Sequence, residues 1–152
     1  MADPIAPSPG SCVDPTRAQF DAFKALPRDR PLQMLNLIRL RELAAYPEGH
    51  PDHCNGLSGL EAYRAYGRTT GPLFRSLGGR IVWSGRPELV VTGPPDERWD
   101  LAFIAEYPSA RAFLSMVVDP RYREWVVHRQ AAVLDSRLVR MEPLTPGAGF
   151  LD

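Results

Sequence analysis

The chain has 152 residues, enough for one domain with a buried core, and its 18 basic and 18 acidic side chains leave a formal net charge of zero. With no long run of like charge, binding to nucleic acid or to an anionic membrane surface is not expected. Lys24 is the only lysine and lies away from the later motifs, which sets Schiff-base chemistry aside, and Cys12 and Cys54 form no C-x-x-C pair and imply free thiols in a reducing compartment.

Residues 1–13, rich in Pro, Ser and Gly, read as a flexible leader without the basic start and apolar run of a secretory signal. No stretch approaches the ~18 apolar residues of a membrane span, so a soluble, cytoplasmic protein is expected. Residues 14–30 read as a helical extension: Asp14 as cap, Pro15 at the first position, then an apolar edge of Phe20, Phe23 and Leu26 up to Pro27. "PLQMLNLIRL" follows as a strand with Met34, Ile38 and Leu40 on one face and Leu35 and Leu37 on the other. After a loop at 44–57, Ser58 caps a helix with Leu60, Tyr63, Gly67, Phe74 and Leu77 roughly at helical spacing. Gly71-Pro72 should kink or break it, and Gly78-Gly79 should end it. "RIVWSG" and "ELVVTG" read as short extended pieces about a Gly-Arg-Pro turn, "DLAFIAEY" as a strand, and Pro108-Ser109 as the start of the helix "ARAFLSMVV". Asp119-Pro120 opens the helix "RYREWVVHRQAAVL", and "SRLVRM" is the last strand. Residues 143–152 form a tail.

Strand, helix, strand, strand, helix, strand is the split βαβ, ferredoxin-like order: an α+β fold with an antiparallel sheet and helices on one face. The other face should meet water, yet "MLNLIRL" and "LAFIAEY" are apolar on both faces, with Ala102 and Ile104 opposite Leu101 and Phe103. A second copy of the same sheet is the simplest cover, so a two-fold homodimer is expected.

"LEAYRAYG", "LGGRIVWSG", "EYPSARAF", "DPRYREW" and "HRQAAVLDSRL", in this order and spacing over residues 31–142, resemble the domain of unknown function 1330 family of the dimeric α/β-barrel superfamily. The resemblance implies a ferredoxin-like monomer that pairs its sheet with a partner's. It also implies a small-molecule pocket between sheet and helices, where antibiotic-biosynthesis monooxygenases, polyketide cyclases and haem-containing dehydratases of the superfamily work. It implies no particular reaction.

Candidate site residues follow from that pocket. On the final helix Trp125, His128, Arg129 and Ala132 share one side, next to a stripe of Tyr122, Val126 and Val133. His128 can move a proton near neutral pH and Arg129 can orient an anionic group. The alternative is a histidine bonded to backbone and an arginine paired with Glu124 or Asp135 at the helix end. Asn36, on the face of Met34 and Ile38, is either a ligand hook or a clip to backbone. Tyr63, Tyr66 and Trp83 border the same cleft, where aromatic side chains serve as core or as hydrogen-bond donors. Glu106, on the Ile104 face, reads first as an interface or strand-end charge, with a base in the pocket as the alternative. His50, His53 and Cys54 are zinc-type ligands, but their spacing is too local and a fourth ligand is missing, so no metal is expected. Ser84 lacks the first glycine of a nucleophile elbow, and no common cofactor motif occurs.

Two functions compete. One is a cofactor-free enzyme doing proton-transfer chemistry of the isomerase, cyclase, dehydratase or monooxygenase kind on a small hydrophobic or aromatic carbonyl compound. In it His128, Arg129 and Tyr66 are catalytic, and Asn36, Tyr63, Trp83 and Trp125 bind substrate. A haem ligated by His128 is a variant by superfamily analogy. The other is a non-catalytic dimeric module that binds a metabolite or acts as a scaffold. Asn36 within an apolar strand face favours the enzyme.

Overall fold

A computed structural model describes residues 10–150. The elements run α1 (Arg17–Ala25), β1 (Leu32–Leu40), α2 (Gly59–Ser76), β2 (Arg80–Gly85), β3 (Leu101–Tyr107), α3 (Ala110–Val118), α4 (Pro120–Ala132) and β4 (Val133–Met141). The four strands form one antiparallel sheet in the order β2-β3-β1-β4, the ferredoxin-like α+β arrangement.

The caps explain most boundaries. Ser58 and Glu61 make a reciprocal capping box at α2, Ser109 accepts from the Ala112 N–H at α3, and Asp119 precedes Pro120 at α4. Four expectations are corrected. Thr16, not Asp14, caps α1, in a box with Gln19, so Pro15 precedes the helix. α2 runs unbroken through Gly71-Pro72; Pro72 and Arg68 are both exposed, so water can take the Arg68 carbonyl that Pro72 leaves without a helical donor. "ELVVTG" forms no strand, and residues 86–100 are irregular. The last helix ends at Ala132, where two loop N–H groups take its final carbonyls, and β-branched Val133 begins β4 directly. The part of the leader at 1–9 lies outside the described residues. Residues 12–14 are tied down: the Cys12 N–H donates to Asp135, Ser136 Oγ donates to the Cys12 carbonyl, and Asp14 accepts from Gln130.

The core lies between the sheet and the helices in two clusters. Leu32, Met34, Leu73, Ala105, Tyr107 and Met116 make one; Ile38, Tyr46, Ala62, Ala131, Ala132 and Val133 make the other. Both use the even-numbered face of β1 and the odd-numbered face of β3, as the register requires. The opposite face carries Leu35, Leu37, Ile104 and Val139. Trp83 pairs with Ile104 and is 51% exposed, and Val139 is 47% exposed. On that face Arg80 and Gln33 donate to Glu106, whose carboxyl is held below the usual carboxylate range first by Gln33 and then by Arg80.

α2 crosses α4 at backbone contact. A methyl group on Gly59 would run into the Arg41 carbonyl oxygen and lie 2.9 Å from the Ala132 oxygen. Both obstacles are backbone, and the Arg41 N–H to Ala132 carbonyl hydrogen bond ties the two segments together, so they cannot swing aside. Gly59→Ala should therefore destabilise the fold by about 3 kcal/mol despite alanine's better helix propensity. A lower urea midpoint with unchanged slope is the expected result, and an unchanged midpoint would refute this account of the seam.

Candidate functional site

The seam sets two groups of polar side chains. The first is around His128. Loop 41–57 is stitched to the end of α4 by Arg41 N–H to the Ala132 carbonyl and Ala45 N–H to the Ala131 carbonyl, at 2.8 and 2.9 Å. This places buried Tyr46 with its hydroxyl 2.6 Å from His128 Nδ1, while His50 stacks on the Tyr46 ring and meets the His128 ring edge-on. His53 Nδ1 contacts the Tyr46 carbonyl at 2.8 Å. Burial first, and then neighbouring His50, push the His128 proton affinity below the ordinary imidazole value, and burial raises that of Tyr46. The histidine is thus a neutral hydrogen-bond partner that fastens the loop. It lines neither of the two hollows beside α2, so it is not placed to ligate a haem held in either. Among the described residues no group of three or more His, Cys, Asp or Glu is arranged to hold a metal ion.

Arg129, its sequence neighbour, points elsewhere. Its side chain is 13% exposed and donates to the Val13 carbonyl at 2.6 Å and to Ser136 Oγ at 3.3 Å, with Asp14 at 3.5 Å. Its charge also eases the proton loss of Tyr63, Tyr66 and Tyr122, although burial dominates and keeps all three phenols protonated: Tyr63 is pushed up to about 12 and Tyr66 well above its usual value. The Tyr66 and Tyr122 hydroxyls meet at 3.0 Å, and Tyr63 and Tyr66 rings lie 5.7 Å apart.

The second group is an open cleft of about 650 Å³ beneath α2 at the β2 side of the sheet. Tyr63 forms its roof; Ile81, Ser84 and Gly85 of β2, then Arg86, form one wall; Asp100, Leu101, Ala102 and Phe103 form the floor. Asp100 is fixed at the start of β3, its carboxylate accepting the Leu40 N–H at 2.7 Å while its own N–H donates to the Ile38 carbonyl.

Of the residues picked from sequence, only Tyr63 lines the cleft. Tyr66 is tied to Tyr122, Asn36 donates to the Met34 carbonyl as a local clip at 3.0 Å, and Trp83 lies on the opposite face of the sheet. Trp125 packs against the first core cluster under the Arg121 guanidinium. Asp100 and Tyr46 went unnoticed in the sequence. Asp100 is one of many acidic residues near a turn, and Tyr46 sits in a loop whose path over α4 has no periodic signal.

The domain of unknown function DUF1330 matches residues 57–142. Among solved structures, RPA0582 from Rhodopseudomonas palustris, a protein of unknown function, is 54% identical with a TM-score of 0.82, covering 90% of this chain and 99% of that one. A methylated form of RPA0582 is 55% identical with a TM-score of 0.83, over 90% and 98%. SnoaB from Streptomyces nogalater, a cofactor-independent oxygenase, is 13% identical with a TM-score of 0.48, over 79% and 99%. No curated protein matches the chain.

Removing the imidazole would strand the buried Tyr46 hydroxyl, so His128→Ala should cost about 2 kcal/mol. The pH dependence has a definite sign. With the folded-state value lowered below 6.5, His128's contribution to stability is complete above that value and is lost as pH falls through it, because the unfolded chain takes the proton first. Urea unfolding from pH 7.5 to 5 should show a steeper loss for wild type than for His128→Gln; equal slopes would contradict the latch.

Proposed function

The chain belongs to the DUF1330 family, whose name assigns no reaction, and from its own cleft we propose a cofactor-independent enzyme that moves a proton on a small hydrophobic or aromatic carbonyl compound. One observation carries this reading: Tyr63 of α2, whose phenol stays protonated, and Asp100 at the start of β3 line the same apolar cleft from different elements. Leu101, Phe103 and Ile81 supply the apolar contact surface. The substrate carbonyl accepts the Tyr63 hydroxyl, and the Asp100 carboxylate takes a proton from the adjacent carbon. The enolate oxygen is held by the same hydroxyl, and the proton returns to a different carbon or the enolate attacks intramolecularly. This is isomerase or cyclase chemistry. Arg129, behind Tyr63, favours developing negative charge on that side.

The residues first expected to do the chemistry take supporting parts in this proposal. His128 holds loop 41–57, Arg129 holds the segment at Val13, and Tyr66 with Tyr122 buttresses Tyr63. The exposed apolar face bearing Trp83, Ile104 and Val139 supports a homodimer that buries sheet against sheet.

Deuterium incorporation from D2O next to the carbonyl of 2-tetralone, followed by NMR, tests the chemistry. The protein should accelerate exchange, and Tyr63→Phe or Asp100→Asn should each lower it about 10²-fold or more while the fold is kept. Exchange no faster than in buffer, or insensitive to both changes, would count against the proposal. Sedimentation should give twice the chain mass for wild type and the single mass for Ile104→Glu; a monomeric wild type would remove the dimer.

A further inference from the structure

α2 carries a second hollow, of about 630 Å³, on the side that turns outward from the cleft, lined by Tyr63, Arg64, Gly67, Arg68 and Arg75. Tyr63 is common to both hollows, so its ring forms the ridge between the apolar cleft and this basic groove. Gly67 keeps the groove floor bare: nothing lies within 4 Å of where its side chain would start.

Glu61 acts on Arg64 through space, but no carboxylate of the described residues forms a close ion pair with the groove's arginines. Arg80, Arg111, Arg121, Arg129 and Arg137 each face a carboxylate, whereas Arg64, Arg68 and Arg75 have neither an ion pair nor a hydrogen-bond acceptor among the described residues. The only acid on α2 is Glu61, and its carboxylate is occupied at the helix start, accepting the Ser58 N–H at 2.8 Å and Ser58 Oγ–H at 3.0 Å. Three guanidiniums on one stretch of helix repel one another, and an anion lying between them would relieve that repulsion.

We propose that the groove takes the acid group of the cleft's ligand, so that the ligand is an organic carboxylate: apolar rings against Leu101 and Phe103, carboxylate on Arg64 and Arg68 across the Tyr63 ridge. This inference rests on the cleft being the ligand site. A carboxylate suits the groove better than a phosphate does, because the guanidinium fork matches its two oxygens. The free backbone N–H groups that usually cradle phosphate lie at helix starts, and this groove is in mid-helix, where the N–H groups are already bonded.

The experiment compares 2-naphthoate with its uncharged analogue 2-naphthamide by NMR titration at low salt, on wild type and on the double variant Arg64→Gln/Arg68→Gln. Both positions are exposed, so the variant should fold as wild type does. The expected result is that the acid binds about tenfold or more tightly than the amide to wild type. In the variant that preference should fall to about one, with amide binding unchanged. If the acid and the amide bind wild type equally, or if the variant keeps the preference, the carboxylate assignment is overturned while the cleft stands. If neither compound perturbs residues of the cleft, the cleft reading fails and this inference falls with it. Tighter binding of inorganic phosphate than of naphthoate, lost in the variant, would overturn the choice of carboxylate.

Discussion

The contact of α2 with α4 is the constraint on which the remaining geometry depends. Gly59 and Ala62 on one helix and Ala131 and Ala132 on the other are small enough for backbones to meet. That closeness lets the N–H groups of Arg41 and Ala45 reach the last carbonyls of α4. The same contact ends α4 at Ala132, holds loop 41–57 over His128, brings Tyr66 to Tyr122, and sets Tyr63, packed on the second core cluster, as the roof of a cleft. Larger residues at the seam would separate the helices by at least a methyl radius, and each of those contacts would lengthen.

The seam also separates two uses of polar chemistry. On the α4 side polar groups are paired with one another: His128 with Tyr46, Arg129 with Val13 and Ser136, Asp14 with Gln130. Satisfied networks of that kind rigidify a fold. On the β2 side the polar groups face open space: Tyr63 and Asp100 border the cleft, and the three α2 guanidiniums border the groove. Asp100 gives one carboxylate oxygen to the Leu40 N–H, and groups held by the scaffold with bonding capacity left over are the ones available to a ligand.

Much of the fold could be read from sequence because its signals are local. The short apolar runs "MLNLIRL" and "LAFIAEY", caps at Ser58, Ser109 and Asp119, and the stop at Gly78-Gly79 each act within a few residues. Gly71-Pro72 misled because the cost of a proline depends on whether its orphaned carbonyl can reach water, which an exposed helix face allows. "ELVVTG" misled because its β-branched residues have no neighbouring strand to pair with; Val91 is 87% exposed. The site was harder. His128 and Arg129 are neighbours in sequence, but adjacent helix residues point about 100° apart, and their partners, Tyr46 and Val13, come from segments 82 and 116 residues away. Only Tyr63 among the expected residues reached the cleft, because it lay on a helix face whose direction periodicity does determine.

The central claim is that ligands enter beneath α2 and not beside His128. Backbone amide shifts recorded while titrating a small library of aromatic ketones and acids would test it most directly. The account predicts perturbations concentrated at Tyr63, Ile81, Leu101 and Phe103, with His50 and His128 silent. Perturbations concentrated at Tyr46, His50 and His128, with the cleft silent, would contradict it.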